Sequence, residues 1–484
     1  MKRLILLVLL VLNHGVNGSE GRAESGHSDL AQKSDGFQCE DNRVLRPRPH
    51  SVSISDFGAV GDGVTLNTLA FQNAIFYLKS FADKGGAQLY VPAGKWLTGS
   101  FNLTSHLTLF LNKNAIILGS EEESHWPVLD PLPTYGRGLD VAGRRHSSLI
   151  NGYKLTDVVI TGMHNFPVSN RKCYMVIITG DNGTIDGQGA VWWKSFRSHS
   201  LNYSRPHLVE LVSCDDVVVS NLTFINSPAW SIHPVYCSNV QVHNVTLHAP
   251  PDSPYTDGIV PDSCMNMCIE DSVINVGHDA IVLKSGWDEY GISYGKPTSE
   301  IHIRRVLLQS SLASAFALGS EMSGGIDHIR LEKAQIHDSH TGIKIKTTQG
   351  RGGYIKDIFI SDILMDNVET AFEFTGHCGT HPDEHYDPSA FPIVGQITVM
   401  DVVGTKIGSA GKFDGLQQAP FTSICLSNIH LDIISGISVP WSCSNVTGFS
   451  DCVFPEPCPA LQNKLSNSSL CYSLPSIYGY SYSS

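Results

Sequence analysis

The sequence predicts an all-β fold, a parallel β-helix forming one solenoid domain, on three observations. A short apolar pattern recurs along the chain, apolar positions alternate with period two inside each copy, and Val and Ile fill most of them. The pattern reads apolar, any, apolar, two mostly polar residues, apolar, any, apolar. Its clear copies are Val217/Val219/Leu222/Phe224, Val240/Val242/Val245/Leu247, Ile301/Ile303/Val306/Leu308, Ile329/Leu331/Ala334/Ile336, Ile358/Ile360/Ile363/Met365 and Ile424/Leu426/Ile429/Leu431. Weaker copies start at Met267 and Ile397, and successive starts lie 23 to 39 residues apart. That spacing is too irregular for a leucine-rich repeat and suits stacked coils with variable loops. Propeller blades would show four strands per roughly 40–50 residues with blade signatures, and none is found.

The remaining segments follow in chain order. Residues 1–18 read as a secretory signal peptide, with Lys2 and Arg3 before an apolar run from Leu4 to Leu12 and a small-residue exit at Val16-Asn17-Gly18. The run is far shorter than the roughly 20 residues that span a bilayer, so no stable membrane anchor is expected. Residues 19–50 form a lead-in and 51–460 the solenoid. Within the solenoid, Leu69, Ile75, Leu78 and Phe81 have helical spacing and predict a short N-terminal helix capping its open end. The near-duplicates Val158–Gly162 and Val176–Gly180 lie 18 residues apart, closer than any two repeats, which marks 163–180 as an insertion. Residues 461–484 read as a tail.

Thirty-three Lys plus Arg against 46 Asp plus Glu leave a net charge of −13, which opposes generic binding to nucleic acid or an anionic membrane. Twelve cysteines behind a signal peptide imply disulfides, with Cys264/Cys268, Cys443/Cys452 and Cys458/Cys471 close enough for local staples. A zinc site would need tighter Cys spacings with His partners, so no metal is expected. Sequons stand at Asn102, Asn182, Asn202, Asn221, Asn244, Asn445 and Asn467, several of them inside strand-like segments.

Positions one coil apart become neighbours in a solenoid, and that rule selects a cluster. Asp257, in Tyr255-Thr256-Asp257-Gly258, lies 22 residues before Asp279, in His278-Asp279-Ala280. Two carboxylates facing one groove suit acid/base work at an acetal, although an Asp beside Gly is also common in plain turns. In Gly342-Ile343-Lys344-Ile345-Lys346-Thr347, alternation puts Lys344 and Lys346 on one face, as either a solvated cationic surface or a site for carboxylates.

Over roughly residues 51–460 the chain resembles plant polygalacturonases of glycoside hydrolase family 28. The likeness runs through Asp56–Gly63, Val91-Pro92-Ala93-Gly94, Asp186-Gly187-Gln188-Gly189, Asn226-Ser227-Pro228 with His233-Pro234, Tyr255–Ser263, Lys284-Ser285-Gly286 and Gly319–Gly325, in that order. The resemblance implies a right-handed parallel β-helix and hydrolysis of α-1,4 bonds between galacturonates in pectin, with inversion and no cofactor. Each of the four signature motifs departs from the family pattern. Asn-Thr-Asp reads Tyr255-Thr256-Asp257; Asp-Asp reads His278-Asp279; Gly-His-Gly reads Ala313-Ser314-Ala315; Arg-Ile-Lys reads Lys344-Ile345-Lys346. The expected acid/base set is therefore Asp257, Asp279 and His278, with Lys344 and Lys346 binding uronate. The leading reading is a secreted, cell-wall, pectin-active glycosidase of reduced activity. A catalytically impaired pectin-binding wall protein is the alternative, and a calcium-dependent pectate lyase on the same fold a third.

Overall fold

The computed structural model describes Cys39 and residues 47–162, 182–434 and 440–462, all within a compact unit spanning Phe37–Ser476. The signal peptide, most of the lead-in, residues 163–180 and nearly all of the tail lie outside the described residues.

Parallel strands stack coil upon coil from His50–Ser53 to Val446–Phe454. The repeat starts fall in a single column. Val217 pairs with Val240, Val240 with Met267, Met267 with Ile301, Ile301 with Ile329, Ile329 with Ile358, Ile358 with Ile397 and Ile397 with Ile424. The column continues backward through Val158, Leu107 and Ala87, coils the repeat pattern had not revealed. Because side chains alternate across a strand, these residues all point inward, and each is at most 1% exposed.

Between the two strand halves of a coil the chain turns at a residue in the left-handed region. Asn221, Asn244, Asp271, Arg305, Lys333, Asp362 and Asn428 hold φ between 50° and 56°. They fall in the polar gap of the repeat, where Asn and Asp tolerate this conformation best. The corner amides also stack: Asn244 Nδ2 donates to Asn221 Oδ1 at 2.7 Å, and Asn221 Nδ2 to Thr161 Oγ1 at 3.2 Å. Two sequon asparagines are thus engaged in the ladder.

A second face carries shorter strands. Phe101, Ile150, Val209, Ile232, Ile259, Ile281, Phe316, Ile343, Phe372, Gly411 and Trp441 occupy its register column. The strand Thr156–Gly162 and the next strand of its coil, Gly183–Asp186, have residues 163–182 between them. One coil later Asn221 alone separates the equivalent strands, Asp215–Ser220 and Leu222–Ile225.

The helix Thr68–Leu78 is present, but its buried face differs from the expected one. Ala70, Phe71, Ala74, Ile75 and Leu78 face the core, and Phe71 stacks on Phe101 at 4.5 Å, whereas Leu69 is 68% exposed. The expected cysteine staples are also corrected. Cys39 bonds Cys268, and Cys443 bonds Cys458. Cys264 is free because it sits in the inward-facing column with Cys237 and Cys214, while Cys268 lies in the outward register, where the lead-in can reach it. Cys452 occupies a corner at φ 54°, is exposed and is free, and Cys471 lies outside the described residues.

The stacked column sets a stability expectation. Ile303→Ala, at a fully buried position, should lower unfolding free energy by about 2–5 kcal/mol. Leu364→Ala, on the outer face at 53% exposure, should change it by less than about 0.5 kcal/mol, both read from denaturant midpoints.

Candidate active site

Loops entering and leaving the second face build a cleft of about 500 Å³. Asp257 and His278 precede the face positions Ile259 and Ile281, one coil apart, so the stacking itself makes them neighbours. Lys284 and Glu321 follow the strands Ile281–Leu283 and Ser314–Leu318, and Lys346 ends the long strand Ile326–Lys346.

The predicted acid/base residues meet. His278 Nδ1 lies 2.6 Å from Asp257 Oδ1 and 3.7 Å from Asp279 Oδ2. Asp257 Oδ1 also accepts the Asp279 backbone N–H at 3.2 Å. Asp257 and His278 line the cleft. Asp279 is fully buried beneath them: its Oδ1 accepts the Ser314 N–H at 3.0 Å and its Oδ2 bonds Lys346 Nζ. Burial alone would raise the Asp279 pKa, but the Lys346 charge, then His278, outweighs it and holds the carboxyl well below the usual carboxylate range. Burial likewise works against the Lys346 ammonium, and the Asp279 charge more than compensates, raising its pKa.

The two predicted lysines part company. Lys346 lines the cleft, whereas Lys344 does not and pairs with Glu373 at 3.0 Å on the next coil. Ser314, where the family pattern has histidine, is fully buried, and its hydroxyl lacks a partner among the described residues. Ser314 does not line the cleft.

Several cleft residues were not predicted as site residues. Arg205 grips Asp140 through Nε at 3.0 Å and Nη2 at 2.8 Å. Lys284 bonds Glu321, lies 5.4 Å from the Trp230 ring centroid, and lines the cleft with both. Burial pushes Glu321 up, but Lys284 and then Arg351 win and hold it ionised. Lys284-Ser285-Gly286 and Gly319–Gly325 had stood out in the sequence, yet their partnership depends on adjacent coils. One wall is aromatic: Phe196 meets Tyr255 at 5.5 Å and Tyr255 meets the His278 ring at 4.8 Å.

Among the described residues, two clusters have metal-ligating residue types within 4.8 Å: Asp257/His278/Asp279, and the buried His207/Glu210/His233. Several of their donor atoms are already bonded within the protein. His207 Nδ1 accepts the Trp230 N–H at 3.2 Å, and both Glu210 oxygens bond Arg145 at 2.7–2.8 Å. In the first cluster Lys346 and the mutual bonds hold the oxygens.

Residues 149–454 match Glycosyl hydrolases family 28. The chain belongs to that family. Residues 51–123 match the rhamnogalacturonase A/epimerase, pectate lyase-like family. A probable polygalacturonase of Vitis vinifera is 49% identical over 436 residues, covering 88% of this chain and 85% of that one. A probable polygalacturonase of Arabidopsis thaliana is 26% identical, covering 84% and 80%. Among solved structures, an exopolygalacturonase from Thermotoga maritima superposes with TM-score 0.70 at 25% identity, covering 85% of this chain and 93% of that one. A polygalacturonase from Erwinia carotovora shares the fold at TM-score 0.64 and 19% identity, covering 85% and 99%. These matches show the family 28 fold, and of the motif positions Tyr255, Asp257, His278 and Lys346 line the cleft, whereas Asp279, Ser314 and Lys344 do not.

The Asp279–Lys346 pair makes a testable prediction. Lys346→Met leaves a buried carboxylate without its cation and should destabilise the protein by about 3–5 kcal/mol at neutral pH. In the native protein the depressed Asp279 pKa adds stability above the unfolded value, about 3.9, and loses it as pH falls through the folded one. In the variant burial raises that pKa instead, so the gap between the two unfolding curves should narrow on acidification.

Proposed function

We propose that this chain is a secreted cell-wall glycosidase acting on homogalacturonan or a related uronic-acid polymer. It hydrolyses α-1,4-galacturonosyl bonds with inversion, at a rate lowered by His278 and Ser314. The observation that carries the reading is the contact of Asp257 with His278 at the mouth of a cleft that also presents Arg205, Lys284 and Lys346. The signal-peptide pattern and the Cys39–Cys268 disulfide support secretion. No helix among the described residues is long and apolar enough to cross a membrane.

Asp279 is fully buried and its Oδ2 bonds Lys346 Nζ, so it does not reach the sugar bond. Instead Asp257 takes the proton of the attacking water. His278 has Nδ1 committed to Asp257, so Nε2 is the nitrogen free for the leaving oxygen, to which the imidazolium gives its proton. Nδ1 keeps its own proton at the Asp257 contact throughout, so after the turnover Asp257 releases its proton to solvent and Nε2 takes one up from solvent, restoring both groups. Asp279 holds the imidazolium and Lys346 in place. Lys346 and Lys284 meet substrate carboxylates, and the Tyr255 wall takes the sugar faces.

The burial of Asp279 also favours the second reading, a pectin-binding protein with little turnover, since a single carboxylate of the acid/base set reaches the cleft. Release of reducing ends from polygalacturonate separates the two. Slow release is expected, reduced by about 10²-fold or more in Asp257→Asn and raised in His278→Asp combined with Ser314→His. Retained polymer binding with no release from any of these proteins would leave the binding reading. A wild-type rate typical of the family would overturn the assigned impairment.

A further inference from the structure

A hairpin loop crosses the cleft face. The coil before the strand Ile150–Tyr153 sends out residues 130–144 through an antiparallel stem, Val128 pairing with His146 and Leu129 with Arg145. On the side where strands leave the face, Tyr135 Oη donates to Asp262 Oδ2 at 2.6 Å and the Trp287 N–H donates to Thr134 O at 2.8 Å. Arg137 Nη1 reaches Pro382 O at 2.8 Å, while Trp287 Nε1 bonds Thr380 O at 2.9 Å. A few residues on, the loop is anchored on the side where strands enter. There Asp140 holds Arg205, whose Nη1 also donates to Pro228 O at 3.0 Å and Pro254 O at 2.8 Å. Between the anchors, Leu139 packs both on the Tyr135/Trp287 cluster and on the Trp230/Val260/Val282 cluster that lies on the face itself. Leu139 and Asp140 line the cleft beside the residues of the coils at its N-terminal end.

We propose that this hairpin dams the cleft at its N-terminal end, so that the site accepts the terminus of a uronic-acid chain and not its interior. The proposal rests on the pectin-active reading and adds to it the form of substrate. The dam is bolted at both sides by buried ionic or hydrogen-bonded groups: Arg205 has a side chain 1% exposed and Asp140 10%. A polymer lying along the face would have to displace Leu139 and break those anchors.

The test uses the full chain carrying Asp257→Asn, titrated with oligogalacturonates of increasing length and with polygalacturonate. Affinity should stop improving after the first few sugar units, further units changing it by less than about twofold. At equal total uronate, a partly shortened polymer with more ends should bind proportionally more protein. Affinity that keeps rising with length, and capacity that follows total uronate, would overturn the dam while leaving the pectin reading intact. No binding to any length would overturn both. With the wild-type chain, an end-acting site releases reducing ends from polygalacturonate with little early loss of viscosity, and an early viscosity collapse overturns the proposal. Arg137→Ala with Leu139→Ala, which loosens the hairpin without touching Asp257 or His278, should extend the length over which affinity rises.

Discussion

The structure depends on the parallel register of its coils. Each inward residue stacks on the same position one coil on, about 4.8 Å away, and backbone hydrogen bonds hold that register along the whole face. A slip by one residue would turn every apolar side chain outward, so the fully buried columns lock the alignment. Function inherits this constraint. Asp257 and His278 face each other because they occupy neighbouring coils just ahead of paired positions, Ile259 and Ile281.

Burial then decides how the cleft handles charge. Its three cations each have a carboxylate partner: Arg205 with Asp140, Lys284 with Glu321 and Lys346 with Asp279. Unpaired charges at such depth would be strongly destabilising, and the pairs also hold the cations in place. Asp279 lies deeper than Lys346, whereas Asp140 and Glu321 line the cleft beside their cations. Asp279 is the extreme case, fully buried beneath Asp257 and His278.

Much of this was legible in the residues, for a physical reason. Inward columns demand apolar side chains at period two and corners demand polar ones, so coils from Val217 onward announce themselves. The coils through Leu107 and Val158 were less visible because their strands are separated by long or irregular segments. The cleft face was harder still: its strands are as short as Ile281–Leu283 and give periodicity little room. Partners across coils were the least legible. Alternation puts Lys344 and Lys346 on one face, but only the stacking shows that Lys344 meets Glu373 and Lys346 meets Asp279. The cysteines failed as local staples for the same cause, since inward or outward register, not sequence distance, decides which thiols approach.

The parts that set chemistry and substrate form are thus the aperiodic ones. A β-helix face is by itself an open-ended track, because every coil resembles the next and none marks a beginning. Residues 130–144 break that translation. They leave the solenoid by an antiparallel stem, cross several coils, and are fixed at Asp262 on one side and Arg205 on the other. The repeat supplies rigidity on both banks, and the hairpin uses it as two abutments. The same stacking that brings Asp257 to His278 therefore also determines where the polymer must stop.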